Sequence, residues 1–234
     1  MLTTNVRITL LVFAVGASCQ AGLLPWFSLP CVLATSFSRW AFCVHARTHD
    51  DGSYPLLEEL MLLVMSPLSV GLHEQRLNHR QHHAALWTTA DPDLVFYRSQ
   101  PAVALGLSCL QPERLFIRSC QSMDRWALSR AGLRSGLFAT LWLIAGNNFL
   151  LWYLLPLRVL FGLVWFSFTW MLHHREAART VNLCLPSLLT PLLGREVMQG
   201  LNSHVAHHAM NEQSTAQATD QAASWSSKHT RSAP

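Results

Sequence analysis

The chain has 234 residues, half of them apolar and 13 % charged, so it is long enough for one domain with a real core but far below the roughly one-quarter charge of soluble domains. Its net charge of +4 does not signal nucleic acid, because the arginines are spread among apolar stretches and are not gathered on a polar face with interleaved aromatics. A membrane is the partner this composition implies, and the cysteines (Cys19, Cys31, Cys43, Cys109, Cys120, Cys184) have no CxxC spacing, which excludes a zinc ribbon and makes them small hydrophobes.

The N-terminal stretch MLTTNVRITLLVFAVGASCQAG carries one basic residue, an apolar run and then small residues. A secretory signal peptide begins in the same way. A second apolar stretch, 26–44, follows almost at once and favours a helical hairpin turning near Leu24, Pro25 and Trp26. Each arm is slightly short of the ~20 residues that span a bilayer, and Arg39 sits where it can snorkel to the headgroups.

Segment 56–72 is apolar but holds Glu58, Glu59 and Pro67, which predicts a helix lying in the membrane interface, and 101–110 is a second candidate. Between them and the next apolar stretch come Arg114, Arg118, Arg125, Arg130 and Arg134, a pattern suited to a cytoplasmic surface facing anionic lipid. A second hairpin is expected from 137–155 and 159–172, with a tight turn from Pro156 to Arg158. Asn147 and Asn148 are polar interruptions that would need partners inside the bundle.

The sequence thus predicts an all-α integral membrane protein with about four transmembrane helices in two hairpins plus interfacial helices. Both termini then lie on one side, and the arginines agree, since only Arg158 falls in an outer turn. Residues 1–211 form the expected domain. From 212–234 the chain is a Ser, Thr, Ala and Gln tail without periodicity, expected to be disordered.

Histidines supply the chemical signal. His45 and His49 are spaced i, i+4; His79, His82 and His83 are spaced i, i+3, i+4; and His204, His207 and His208 repeat the second pattern. Residues at those spacings leave one side of a helix. The four-span topology puts all three clusters on the same, cytoplasmic, face. Neutral imidazole favours iron, copper, zinc or nickel over magnesium or calcium, and eight nitrogens exceed the positions one ion offers, so two metals are implied. Either His173 or His174 can supply a ninth ligand, since adjacent helical residues point about 100° apart. His73 falls off the ligand face and reads as outer-shell or solvated; His229 lies in the tail.

HARTH, NHRQHHAALWTTADPD and GLNSHVAHHAMN, separated by membrane hairpins, resemble the histidine boxes of the membrane fatty acid desaturase superfamily. The likeness runs from about His45 to Asn211, and HHAALWTTADPD is also similar to bacterial carotene ketolases. Ala46 departs from it, standing where many relatives carry an acidic residue. The resemblance implies two non-haem iron ions held by His45, His49, His79, His82, His83, His174, His204, His207 and His208, with His174 favoured over His173 through the turn LHHRE. It further implies O2 as co-substrate and a lipid substrate, an acyl chain or a carotenoid. The chain has neither GxGxxG after a strand nor CxxCH, so an external electron donor such as a ferredoxin or a cytochrome-type carrier is expected. Asp91 and Asp93 could orient ligand imidazoles or simply cap the turn that follows them.

Overall fold

A computed structural model describes residues 2–49, 54–120 and 123–173, and among these every regular element is helical. The helices are α1 (Leu2–Gln20), α2 (Ser28–Thr48), α3 (Pro55–Met65), α4 (Leu72–Ala84), α5 (Leu94–Arg98), α6 (Pro101–Cys109), α7 (Gln111–Ser119), α8 (Arg125–Ala145) and α9 (Asn147–Met171).

Helices α1 and α2 form the expected hairpin. Gly22 ends α1 at φ +73°, a left-handed conformation that glycine adopts without a Cβ penalty, and Leu23 N–H donates back to the Ser18 carbonyl at 2.9 Å. The return arm buries Leu29, Leu33, Phe37, Trp40 and Val44, spaced three and four apart so that they share one face. Ile8 and Val12 of α1 and Met61, Leu62 and Met65 of α3 complete that core. The indole Nε1–H of Trp40 donates to Thr9 Oγ1 at 3.2 Å, which satisfies the polar tip of a residue only 2 % exposed.

The second hairpin turns at a different place from the one the sequence suggested. Gly146, at φ +63°, makes the reversal, and α9 runs through Pro156 and Arg158 without a break. Proline lacks an N–H and crowds the preceding turn, which ordinarily breaks a helix. Here Leu150–Leu154, just before it, widens into a π-helical turn, a known way to relieve such crowding within one rod. Arg158 is therefore not in an outer turn: its guanidinium pairs with Glu113 of α7 and donates to the Cys109 carbonyl at 3.3 Å. Asn147 and Asn148 are exposed at the reversal, so they need no partners inside a bundle.

Internal pairing accounts for further charges. Glu58 and Glu59 of α3 are both engaged by arginines of the protein itself. Arg134 is not a lipid-facing charge. It is 3 % exposed, pairs with Glu59 and donates to the carbonyls of Pro67 and Ser69, tying α8 to the chain after α3. Tyr153 of α9 donates its hydroxyl to the Val64 carbonyl, so α3 is bonded to both arms of the second hairpin.

Helices α1 and α9 are long and apolar enough to cross a membrane by length and composition, with mean hydropathies of 1.5 and 1.9. Leu10, Leu11 and Phe13 on α1 and Leu151, Leu155 and Val159 on α9 stay exposed, an apolar surface that suits lipid better than water. Of the four spans expected, α2 and α8 are also 21 residues long but do not reach the same hydropathy. The tail 212–234 lies outside the described residues.

Candidate metal centre

The histidine site sits at the end of α2 farthest from Gly22 and the end of α9 farthest from Gly146. His45 and His49 leave the last turn of α2, and α4 meets them with His79 and His83, again i, i+4. Ring centroids lie 4.6 Å apart for His45 and His79, 4.5 Å for His49 and His79, and 4.4 Å for His79 and His83. One ligand nitrogen each from His45, His49 and His79 falls within 4.8 Å of the others, so this triad could hold a metal ion. Phe168 of α9 stacks on His45 at 5.0 Å and covers one side of the group.

The nitrogens decide what this arrangement can do. His79 Nε2 is 2.9 Å from His49 Nε2 and 3.0 Å from His83 Nε2. An imidazole nitrogen carries either one N–H or one lone pair, so His79 Nε2 cannot make a full hydrogen bond to both neighbours. Two nitrogens sharing a cation at bonds of about 2.0–2.1 Å are about 2.9–3.4 Å apart for angles from 90° to tetrahedral, which is the spacing observed. The central donor also has the required charge. Burial, reinforced by His45, His83 and His49, holds His79 well below the ordinary histidine range, hence neutral near pH 7.

His82 lies beside these rings, 5.4 Å from His83 and 6.0 Å from His79 between centroids, but is held differently. Its Nδ1–H donates to Asp91 Oδ1 at 2.9 Å, and Asp93 Oδ2 is 3.8 Å away. Burial works against a charged ring here, but the hydrogen bond from Asp91 and the two negative charges outweigh it and raise the pKa. A carboxylate on one ring nitrogen leaves the other for a metal, the usual way a ligating histidine is fixed. Asp91 plays both roles that the sequence left open. It orients His82, and it also accepts from Asp93 N–H at 2.8 Å, from Trp87 N–H at 3.3 Å and from the Tyr97 hydroxyl. Trp87 is the one described non-glycine residue with positive φ, at 66°, and the Asp91 carboxylate holds it there. Asp93 is buried, and burial pushes its carboxyl up to about 6.

His173 stands beside this second group, 5.1 Å from His82 between ring centroids and stacked on Tyr97 at 5.1 Å. Its Nδ1–H donates to the Thr169 carbonyl at 2.8 Å, and burial lowers its pKa to about 4. His174, the favoured ninth ligand, lies outside the described residues, as do His204, His207 and His208. His73 is exposed, as expected for a residue off the ligand face.

A narrow cleft opens beside the first group. The face of α2 that carries His45 continues through Val44, Ala41, Trp40 and Phe37, and the facing side of α9 supplies Phe161, Val164, Trp165 and Phe168. Its walls are apolar and aromatic, while Asn78, Gln75 and Gln111 lie at the α4 and α7 side. The sequence reading missed two features. Arg47 lies between His45 and His49, Arg76 lies one turn before His79, and both reach Glu58. A carboxylate inside the apolar run LLEELMLLVM was the available signal, because such a charge survives burial only when paired. Tyr97, which anchors Asp91, had no signal beyond being a polar aromatic soon after the DPD turn.

No family model, curated protein or solved structure matches the chain.

Proposed function

We propose that the chain is a membrane-bound, O2-dependent oxidoreductase that uses two non-haem irons to attack unactivated C–H bonds of a lipid, and that its reaction is desaturation of a fatty acyl chain. The observation that carries this reading is the junction of the imidazole cluster and the apolar cleft: His45 and His79 belong to both. The donor set fits iron, since it consists of imidazole nitrogen from His45, His49, His79 and His83, with His79 held neutral by burial and His82 held by Asp91. His173 or His174, and His204, His207 and His208, would complete the ligand set.

When bound, a reduced iron pair would activate O2, and O2 supplies the oxidising power for C–H cleavage. The chain's own residues do the rest. Phe37, Trp40, Val44, Phe161 and Val164 hold an apolar chain extended and exclude water from it. Asp91 keeps His82 in one tautomer and one orientation. Electrons come from an external carrier of ferredoxin or cytochrome type, which the exposed Arg118 and Arg125 would receive on the cytoplasmic side.

A second reading, ketolation or hydroxylation of a carotenoid, draws on the five aromatic rings of the cleft, Phe37, Trp40, Phe161, Trp165 and Phe168, whose faces suit a flat polyene. Mass spectrometry of lipids and pigments from cells with and without the gene tests both. Acyl chains lighter by two hydrogens support the desaturase, and a polyene gaining oxygen supports the ketolase. Two bound metals with no oxygen consumed in the presence of reductant and lipid would leave a non-catalytic metal-binding membrane protein.

A further inference from the structure

We propose that Glu58 is a positioning residue for the metal centre: by gripping Arg47 of α2 and Arg76 of α4 with one carboxylate oxygen, it sets the register in which His45 and His49 face His79 and His83. The inference rests on the metal-binding reading and adds to it a device outside the ligand set.

Glu58 Oε1 accepts from Arg47 Nη2 at 2.8 Å and from Arg76 Nη2 at 2.8 Å. All three side chains are 5–6 % exposed. A third bond joins the two helices directly, from Arg76 Nε to the Arg47 carbonyl at 3.2 Å. Glu58 itself is anchored at the start of α3, where its Oε1 also accepts from Tyr54 N–H at 3.4 Å. Burial raises the pKa of Glu58, but the hydrogen bonds from Arg47 and Arg76 outweigh it and hold the carboxyl below its ordinary value, so the group is ionised and the grip is charge-assisted.

The positions of the arginines make this more than a generic ion pair. Arg47 is two residues from each of the α2 histidines, and Arg76 is one turn before His79 on α4. A slide of α4 by one turn, about 5.4 Å, would carry His79 away from His49 altogether. Apolar packing alone tolerates small slides, since the same side chains can interdigitate in neighbouring registers. A buried charge cluster does not, because any shift leaves a charge unpaired. Fixing register is the best-attested use of such clusters, which otherwise add little stability over an apolar replacement.

The experiment measures Co(II) binding by visible absorption in the purified full chain, for the native protein, Glu58→Gln, and a triple variant (Arg47→Met, Glu58→Leu, Arg76→Met) that removes these three charges together. Helical content and thermal midpoint are followed in parallel. Glu58→Gln alone could unfold the site by stranding two arginines. The triple variant leaves none of these three charges facing a lost partner, so its fold should persist. Expected is a loss of Co(II) affinity of about tenfold or more in the triple variant at unchanged helical content, with an altered absorption band. Equal affinity and band shape in a folded triple variant would overturn the proposal while leaving the metal centre standing. Absence of Co(II) binding in the native chain would overturn both, and is told apart by the native protein alone.

Discussion

The two histidine groups that meet at α4 are built on opposite plans. In the group facing α2, the nitrogens of His49, His79 and His83 already converge to 2.9 and 3.0 Å, and convergence comes from the packing of two helices. In the group facing α9, His82 and His173 are 5.1 Å apart between ring centroids, and each is held by a bond from its own Nδ1–H, to Asp91 and to the Thr169 carbonyl. One group has its ligands gathered, and the other has its ligands aimed. On the proposed reading a centre for two ions needs both properties, and the difference teaches that α4 joins the groups: its three histidines leave one side of the helix, with His82 5.4 Å from His83 between ring centroids and 5.1 Å from His173. The sharpest break of this comparison is His79→Ala. Its nitrogen is the middle of the converging three, so we expect the metal content of the purified protein to fall by about one ion per chain, as measured by elemental analysis. His82→Ala should instead spare the first group, leaving the Co(II) spectrum of that group intact.

The next largest effect is expected at the aiming carboxylate. Asp91→Asn keeps the shape and leaves an oxygen for His82, but it turns an amide N–H2 toward donors that now meet a carboxylate, among them Tyr97 O–H and Trp87 N–H. Donor facing donor displaces the turn, and His82 loses its orientation. Metal affinity at the second group should drop about 10- to 100-fold while the first group is spared, read by competition with a chromophoric chelator. Equal losses at both groups would mean that they are one site and not two.

The sequence carried this comparison unevenly. The i, i+4 spacings in HARTH and NHRQHH were enough to expect His45 with His49 and His79 with His83, because helical periodicity is local. That the two pairs face each other is tertiary, and so is the approach of His173 to His82. The second reversal was misplaced because Pro156 looks like a breaker when read locally, whereas a π-helical turn before it lets α9 continue and Gly146 makes the bend. Arg134 and Arg158 were assigned to surfaces by a rule that counts charges. Their partners Glu59 and Glu113 stand 75 and 45 residues away, beyond any local pattern.

A smaller effect is expected where α9 touches α6. A Cβ on Gly162 would lie 2.2 Å from Cys109 Sγ and 3.3 Å from its Cα, so even alanine makes the Cys109 side chain move and the backbone beside it give by a few tenths of an ångström. Gly162→Ala should cost about 1–3 kcal/mol and lower the thermal midpoint. Because His173 follows directly on α9, the second histidine group should loosen more than the first.

The smallest effect is expected on the exposed arginines, and it concerns turnover, not binding of metal. Arg118 and Arg125 are exposed, whereas Arg134 is buried and Arg130 is 3.5 Å from Glu59 with its side chain 41 % exposed. Reversing Arg118 and Arg125 to Glu therefore changes the surface field without breaking an internal pair of the kind that Arg130 and Arg134 make. An acidic electron carrier should then associate about two- to tenfold more slowly at low salt, with the difference fading as ionic strength rises, while both histidine groups keep their metal. Unchanged carrier-dependent rates at low salt would move the docking surface elsewhere and leave the two groups as they are. A loss of metal in the same variant would instead show that this surface and the centre are mechanically coupled, through α7 and the Asp93 end of the cleft where Arg118 lies near enough to favour the ionised carboxyl.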